Sequence, residues 1–238
     1  MENQKKLSKR TIVCSVLILT IIPITILFGV FFLNDRKYYI VSLLIIIYTM
    51  VPFFMVFERR KPQARELIII AVLCAIAVAG RGAFYMVPQF KPVVAIVIIA
   101  GVCFGGESGF LVGALTGFVS NFFFGQGPWT PWQMFCFGII GFLAGILFKK
   151  GRLKKNRIQL CIYGGLATFF IYGGIINIGS LLMFTSHFTI EGLIAAYISA
   201  IPFDLIHALS TVFFLFVISN PMIEKLDRIK IKYGIIEG

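Results

Sequence analysis

Asp204 and His207 stand three residues apart in the apolar run SAIPFDLIHALS, and no other carboxylate lies at mid-depth in an apolar segment of this 238-residue chain. On a helix that spacing puts both side chains on one face. A carboxylate inside a bilayer costs about 2.5–3.5 kcal/mol on insertion scales, so it faces a bundle interior or a wet cavity. Paired with an imidazole it can relay protons, act in acid–base catalysis, supply part of a metal site, touch a solute, or satisfy itself as a structural pair. Metal binding needs a third ligand, and the second histidine, His187, falls between apolar segments. The sequence has no H-E-x-x-H and no G-x-S-x-G, so an intramembrane enzyme would lack its second catalytic group. The chain is read as no enzyme, with no metal and no cofactor. A structural pair and a substrate contact stay open, and a self-sufficient proton-coupled transporter using Asp204 and His207 is the alternative function.

The elements that hold this pair follow from composition. The chain is 59% hydrophobic and 13% charged. That charge is too sparse to cover a soluble surface, and the apolar runs match the roughly 20 residues that cross a bilayer. The expectation is an all-α integral membrane protein with eight transmembrane helices, near 11–33, 38–57, 64–80, 92–106, 107–124, 132–148, 158–184 and 190–218. Gly105-Gly106-Glu107-Ser108-Gly109 breaks the long 92–124 stretch into a hairpin. The first run, Thr11 to Leu33, exceeds a signal-peptide core of about 7–15 residues and reads as a retained helix. The five cysteines sit in or beside apolar segments without C-x-x-C spacing and read as packing residues.

Basic residues orient the spans. Of the 22 lysines and arginines, 18 fall on one side, leaving Arg36, Lys37, Arg81 and Lys91 on the other. The positive-inside rule then places both termini in the cytoplasm. The net charge of +12 is cytoplasmic fringe, suited to anionic headgroups or an acidic partner, and calls for no nucleic acid.

With that orientation, polar and aromatic groups collect outside. Arg81, Tyr85 and Gln89 lie on one outer loop and Gln126, Trp129 and Thr130 on another, with Trp132 and Gln133 opening the sixth span. Asn121 and Asn177 lie near the outer ends of the fifth and seventh spans. A solute pocket is mostly apolar with a few placed polar groups, as here; a plain interfacial aromatic belt is the other reading of the tryptophans. Pro128 and Pro131 stiffen the Trp129–Trp132 segment, read as a loop. Small residues recur at helical spacing: Ala71, Ala75 and Ala79 in the third span, Gly109, Gly113 and Gly117 in the fifth, Gly138, Gly141 and Gly145 in the sixth. Such stripes let helix backbones approach in lipid. The glycines suit internal packing, whereas the alanines equally suit a separate membrane protein. No Walker A motif is present, so a subunit that collects a solute would need an energising partner.

The ordered combination resembles the substrate-binding S-components of energy-coupling factor (ECF) vitamin transporters. It consists of the Ala71-x-x-x-Ala75-x-x-x-Ala79 stripe, the loop RGAFYMVPQFKP, the hairpin GGESGFLVGALTGFVSN and the segment GPWTPWQM, the last resembling the cobalamin subgroup. The resemblance implies a six-helix S-component-like core over 61–238, with residues 1–60 as an additional pair of N-terminal helices. It implies a vitamin, cobalamin favoured, bound from outside under loops that act as a lid, in a prokaryotic plasma membrane. It further implies docking through Ala71, Ala75 and Ala79 onto a transmembrane coupling subunit that carries two cytoplasmic ATPase subunits. Toppling in the membrane then releases the vitamin inward. The implied substrate-binding residues are Arg81, Tyr85, Gln89, Asn121, Gln126, Trp129, Thr130, Trp132, Gln133, Asn177, Asp204 and His207.

Overall fold

The computed structural model describes residues 15–33, 40, 44–45, 47–48, 64–149, 151–185 and 189–233. Among them the chain forms seven helices. Helix α1, Ile22–Leu33, follows a π-helical turn at Leu17–Ile21. The others are α2 (Ala64–Ala83), α3 (Val93–Phe104), α4 (Gly106–Phe124), α5 (Trp129–Lys149), α6 (Arg157–Phe184) and α7 (Ile190–Tyr233). The expected span at 38–57 lies largely outside the described residues, as do the basic clusters at 5–10 and 59–61.

Helix α3 is the axis of the bundle. All twelve of its residues are buried, as expected of a helix apolar on every side. It touches α2, α4, α5 and α7. At Gly105 (φ 102°) the chain reverses with one residue between helices, a backbone state that favours glycine.

The glycine stripes then set the packing. A Cβ on Gly109 would lie 2.5 Å from the Gly141 carbonyl oxygen, and one on Gly113 would lie 2.5 Å from Phe137 backbone. Gly101 also faces the Gly141 backbone, and Gly145 faces Gly105 and Gly106. The α4 and α5 stripes therefore close on each other antiparallel, with α3 wedged against both. This is internal packing, one of the readings the spacing allows, and it follows from van der Waals contact between backbones.

Asn156 caps α6, its Oδ1 accepting from the Gln159 N–H at 2.8 Å. Midway, Ala167–Gly173 winds as a π-helix, an element frequent at functional sites. Helix α7 runs past the expected end at 218, through Pro221, to Tyr233. Its 44 residues span about 66 Å, more than a hydrocarbon core of about 30 Å. The change to charged sequence does not stop it, because Arg228–Glu224 and Lys230–Asp227 pair at helical spacing and Ile223 and Leu226 stay buried.

Helix α6, helix α7 and Trp129–Phe148 within α5 are long and apolar enough to cross a membrane. Helices α1 and α7 expose large apolar side chains along their length, including Phe31, Phe32, Ile198 and Phe213. Lipid is the medium that accommodates such faces.

Candidate functional site

The ends of α2 and α4 and the starts of α3 and α5 meet the middle of α6 and α7 at one end of the bundle, where a polar network crosses the helices. Arg81, in the last turn of α2, donates from Nη1 to Ser120 Oγ and to Asn121 Oδ1, the latter at 2.7 Å. Asn121 is fully buried and donates from Nδ2 to Thr130 Oγ1 (3.0 Å) and Gln133 Oε1 (2.9 Å). The Thr130 hydroxyl donates to Gln126 Oε1 at 2.8 Å and also accepts from the Gly127 N–H at 3.3 Å, so its one proton and both lone pairs are used. Gln126 Nε2 donates to the Phe118 carbonyl at 3.0 Å. Gln133 Nε2 reaches Tyr172 Oη at 3.4 Å. The buried Tyr172 ring stacks on Phe137 and meets His207 edge-on at 4.6 Å.

The structure thus joins Arg81, Asn121, Gln126, Thr130, Gln133 and, through Tyr172, His207. Two of these linking residues, Ser120 and Tyr172, escaped the sequence reading. Tyr172 had a signal: membrane tyrosines favour interfaces, so one in mid-span needs a buried hydroxyl partner.

Asp204 and His207 do not pair. Asp204 Oδ2 accepts from Asn177 Nδ2 at 2.8 Å, across the α6–α7 contact. Gly173 makes that approach possible, since a Cβ there would lie 2.7 Å from Asp204 Cγ. Gly173 and Asn177, four residues apart on α6, share one helix face and so meet the same neighbour. The adjacent Gly174 carbonyl accepts from Tyr197 Oη at 2.7 Å.

The tryptophans occupy the first turn of α5 and not the expected loop. Pro131 is tolerated there because first-turn N–H groups lack helical partners. Trp132 is buried against Gly179 and belongs to the apolar cluster that joins Ile18, Ile22 and Ile26 to Phe110 and Phe142. Trp129 is half-buried, its ring folded over Gly127. Trp132→Ala is therefore expected to cost about 3–5 kcal/mol of stability, and Trp129→Ala much less. Thermal unfolding of both variants in detergent checks the order; equal midpoints would refute the buried role of Trp132.

Tyr85 and Gln89 stay outside the network. Tyr85 is exposed and stacks on Phe124 at 5.3 Å, and the Arg81 guanidinium sits 5.1 Å from the same ring. Gln89 is exposed at φ 55° in the turn between α2 and α3. That turn is clamped to α7: Phe84 and Phe90 pack on Phe214, and the Lys91 N–H donates to Ser210 Oγ (2.8 Å), whose hydroxyl donates to the Lys91 carbonyl (3.1 Å). Burial, and secondarily the nearby Arg81, lower the Lys91 pKa.

On the flank of the bundle Ala71, Ala75 and Ala79 are exposed. With Val78, Leu115, Val119 and Phe123 they line an apolar groove of about 730 Å³ between α2 and α4.

Residues 65–219 match the model of the family described as ECF transporter, substrate-specific component. The chain belongs to that family. As an ECF substrate-specific component it is a membrane transporter subunit and not an enzyme. It is similar to the UPF0397 protein of Vibrio atlanticus, 28% identical over 125 residues, covering 50% of this chain and 68% of the relative. The UPF0397 protein of Aliivibrio salmonicida is 29% identical over 125 residues, covering 50% and 66%. That of Aliivibrio fischeri strain MJ11 is 30% identical over 102 residues, covering 41% and 54%. The chain therefore matches between about half and two thirds of these relatives' lengths. No solved structure matches it.

Proposed function

We propose that this ECF substrate-specific component captures a vitamin at the Arg81–Trp129 end of the bundle and delivers it inward with a transmembrane coupling subunit and two ATPase subunits. Cobalamin is the favoured solute, on the strength of the GPWTPWQM segment. The carrying observation is the uncovered alanine groove. The glycine stripes on α4 and α5 are consumed inside the bundle, whereas Ala71, Ala75 and Ala79 stay open beside about 730 Å³ of apolar space. A small-residue face left open in lipid is ready for a partner helix.

In this reading eight helices cross the membrane, both termini are cytoplasmic, and the polar network faces outward. Arg81, Tyr85, Gln89, Asn121, Gln126, Trp129, Thr130, Gln133, Asn177, Asp204 and His207 surround the path of the solute, and Trp132 supports them from beneath. Because Asn121 is bonded to both Thr130 and Gln133, the solute enters by exchanging those bonds for its own, as the turn at 84–92 lifts from α7.

The purified chain should bind the vitamin without ATP at micromolar concentration. In vesicles, uptake should require the coupling and ATPase subunits; uptake driven by a pH gradient in their absence would instead support proton coupling at Asp204. Ala75→Leu should fill the groove and abolish co-purification with the coupling subunit while vitamin binding persists. Undiminished co-purification would remove the alanine face from the assembly.

A further inference from the structure

We propose that the captured solute carries a carboxylate or phosphate group and that Arg81 receives it. This rests on the capture reading and adds the charge class of the solute. Arg81 is a half-buried guanidinium whose hydrogen bonds to described residues use Nη1 alone, both to neutral acceptors, Ser120 and Asn121. No carboxylate pairs with it among the described residues; the ion pairs found there, Arg228–Glu224 and Lys230–Asp227, lie near the opposite end of α7.

The described acids at the Arg81 end are committed or remote from the network. Asp204 is bonded to Asn177, and Glu191 is exposed in the first turn of α7. The described cations there are Arg81 and Lys91, and Lys91 Nζ donates to the Val87 carbonyl at 3.0 Å. The guanidinium is also held in place, by Asn121 on one side and by the Phe124 ring, itself stacked on Tyr85.

An oriented, partly desolvated guanidinium with no counter-charge is costly by itself. It becomes favourable when a planar or tetrahedral oxyanion accepts two of its parallel N–H groups. A neutral or cationic solute would leave that cost in place. A lipid headgroup phosphate offers the same oxyanion chemistry, and the test separates the two sources.

The full chain in maltoside micelles, which contain no phosphate, is titrated with matched acid and neutral probes. The pairs are pantothenate and pantothenol, biotin and biotin amide, and, for a cobalamin binder, cobinamide phosphate and cobinamide. The acid or phosphate member of the pair that binds is expected to be preferred by about tenfold or more, the scale of a charge-assisted hydrogen bond. In Arg81→Gln that ratio should fall toward one, and in Arg81→Lys part of it should return. Melting curves confirm that both variants fold.

Equal affinity within a binding pair, or a ratio unchanged in Arg81→Gln, overturns the oxyanion role and leaves the capture reading standing. Binding by no probe overturns both. The same titration in phosphatidylglycerol nanodiscs addresses the lipid. If Arg81-dependent stabilisation by that lipid appears without acid preference in micelles, Arg81 belongs to a headgroup and the proposal fails.

Discussion

Gly101→Ala and Gly145→Ala are expected to remove most of the folded protein from detergent extracts, whereas Gly174→Ala leaves its yield and melting midpoint nearly unchanged. A Cβ at Gly101 would overlap the Gly141 carbonyl oxygen, and one at Gly145 would overlap the Gly106 backbone nitrogen. Overpacking a core by a methyl group commonly costs about 1–3 kcal/mol when side chains can shift. Here the obstacles are backbone atoms of α4 and α5, which move only if the helices part. Parting them also opens the contacts of α3, so the cost should exceed that range and approach much of a total stability of about 5–15 kcal/mol. Gly174 has right-handed helical backbone and nothing within 4 Å of an added Cβ, so its substitution separates a packing effect from a general intolerance of change. Wild-type melting in Gly101→Ala would mean that α3, α4 and α5 do not pack as described.

Asn121→Leu is expected to lower stability by about 3 kcal/mol or more and to abolish solute binding together. Leucine keeps the volume and removes an acceptor to Arg81 and two donations, to Thr130 and Gln133. Gln133 Oε1 then loses its described donor, and Arg81 and Thr130 each lose one partner. A buried group left without a partner costs about 1–3 kcal/mol, and Asn121 and Thr130 have no exposed surface through which water could enter. Chemical denaturation in mixed micelles measures the first effect and ligand titration the second. A stability change below about 0.5 kcal/mol would show that the network is not continuous through Asn121.

The two predictions act on different parts of the molecule. The glycine contacts define how three helices meet along their length, and Asn121 defines how five of them are joined at one end. Losing the first unfolds the bundle. Losing the second leaves helices that still pack but no longer present Arg81, Gln133 and Tyr172 in one arrangement.

The membrane class, the helices of the core and the break at Gly105 were determined by local sequence, because apolar length and a residue able to adopt positive φ act without reference to distant contacts. That the stripes Gly109, Gly113, Gly117 and Gly138, Gly141, Gly145 pack inside the bundle was also readable, since spacing alone fixes which residues share a stripe; that α4 and α5 close on each other was not. Tertiary structure decided the pairings. Asp204 and His207 share a helix face in the sequence, yet in the bundle that face meets α6, where Asn177 bonds Asp204 and Tyr172 packs on His207, partners that spacing along α7 does not specify. Trp132 read as a rim residue because proline and glycine surround it, but Gly179, 47 positions later in the chain, makes the slot that buries it. Periodicity records which residues lie on one helix face; which neighbour that face meets depends on packing between segments far apart in the chain.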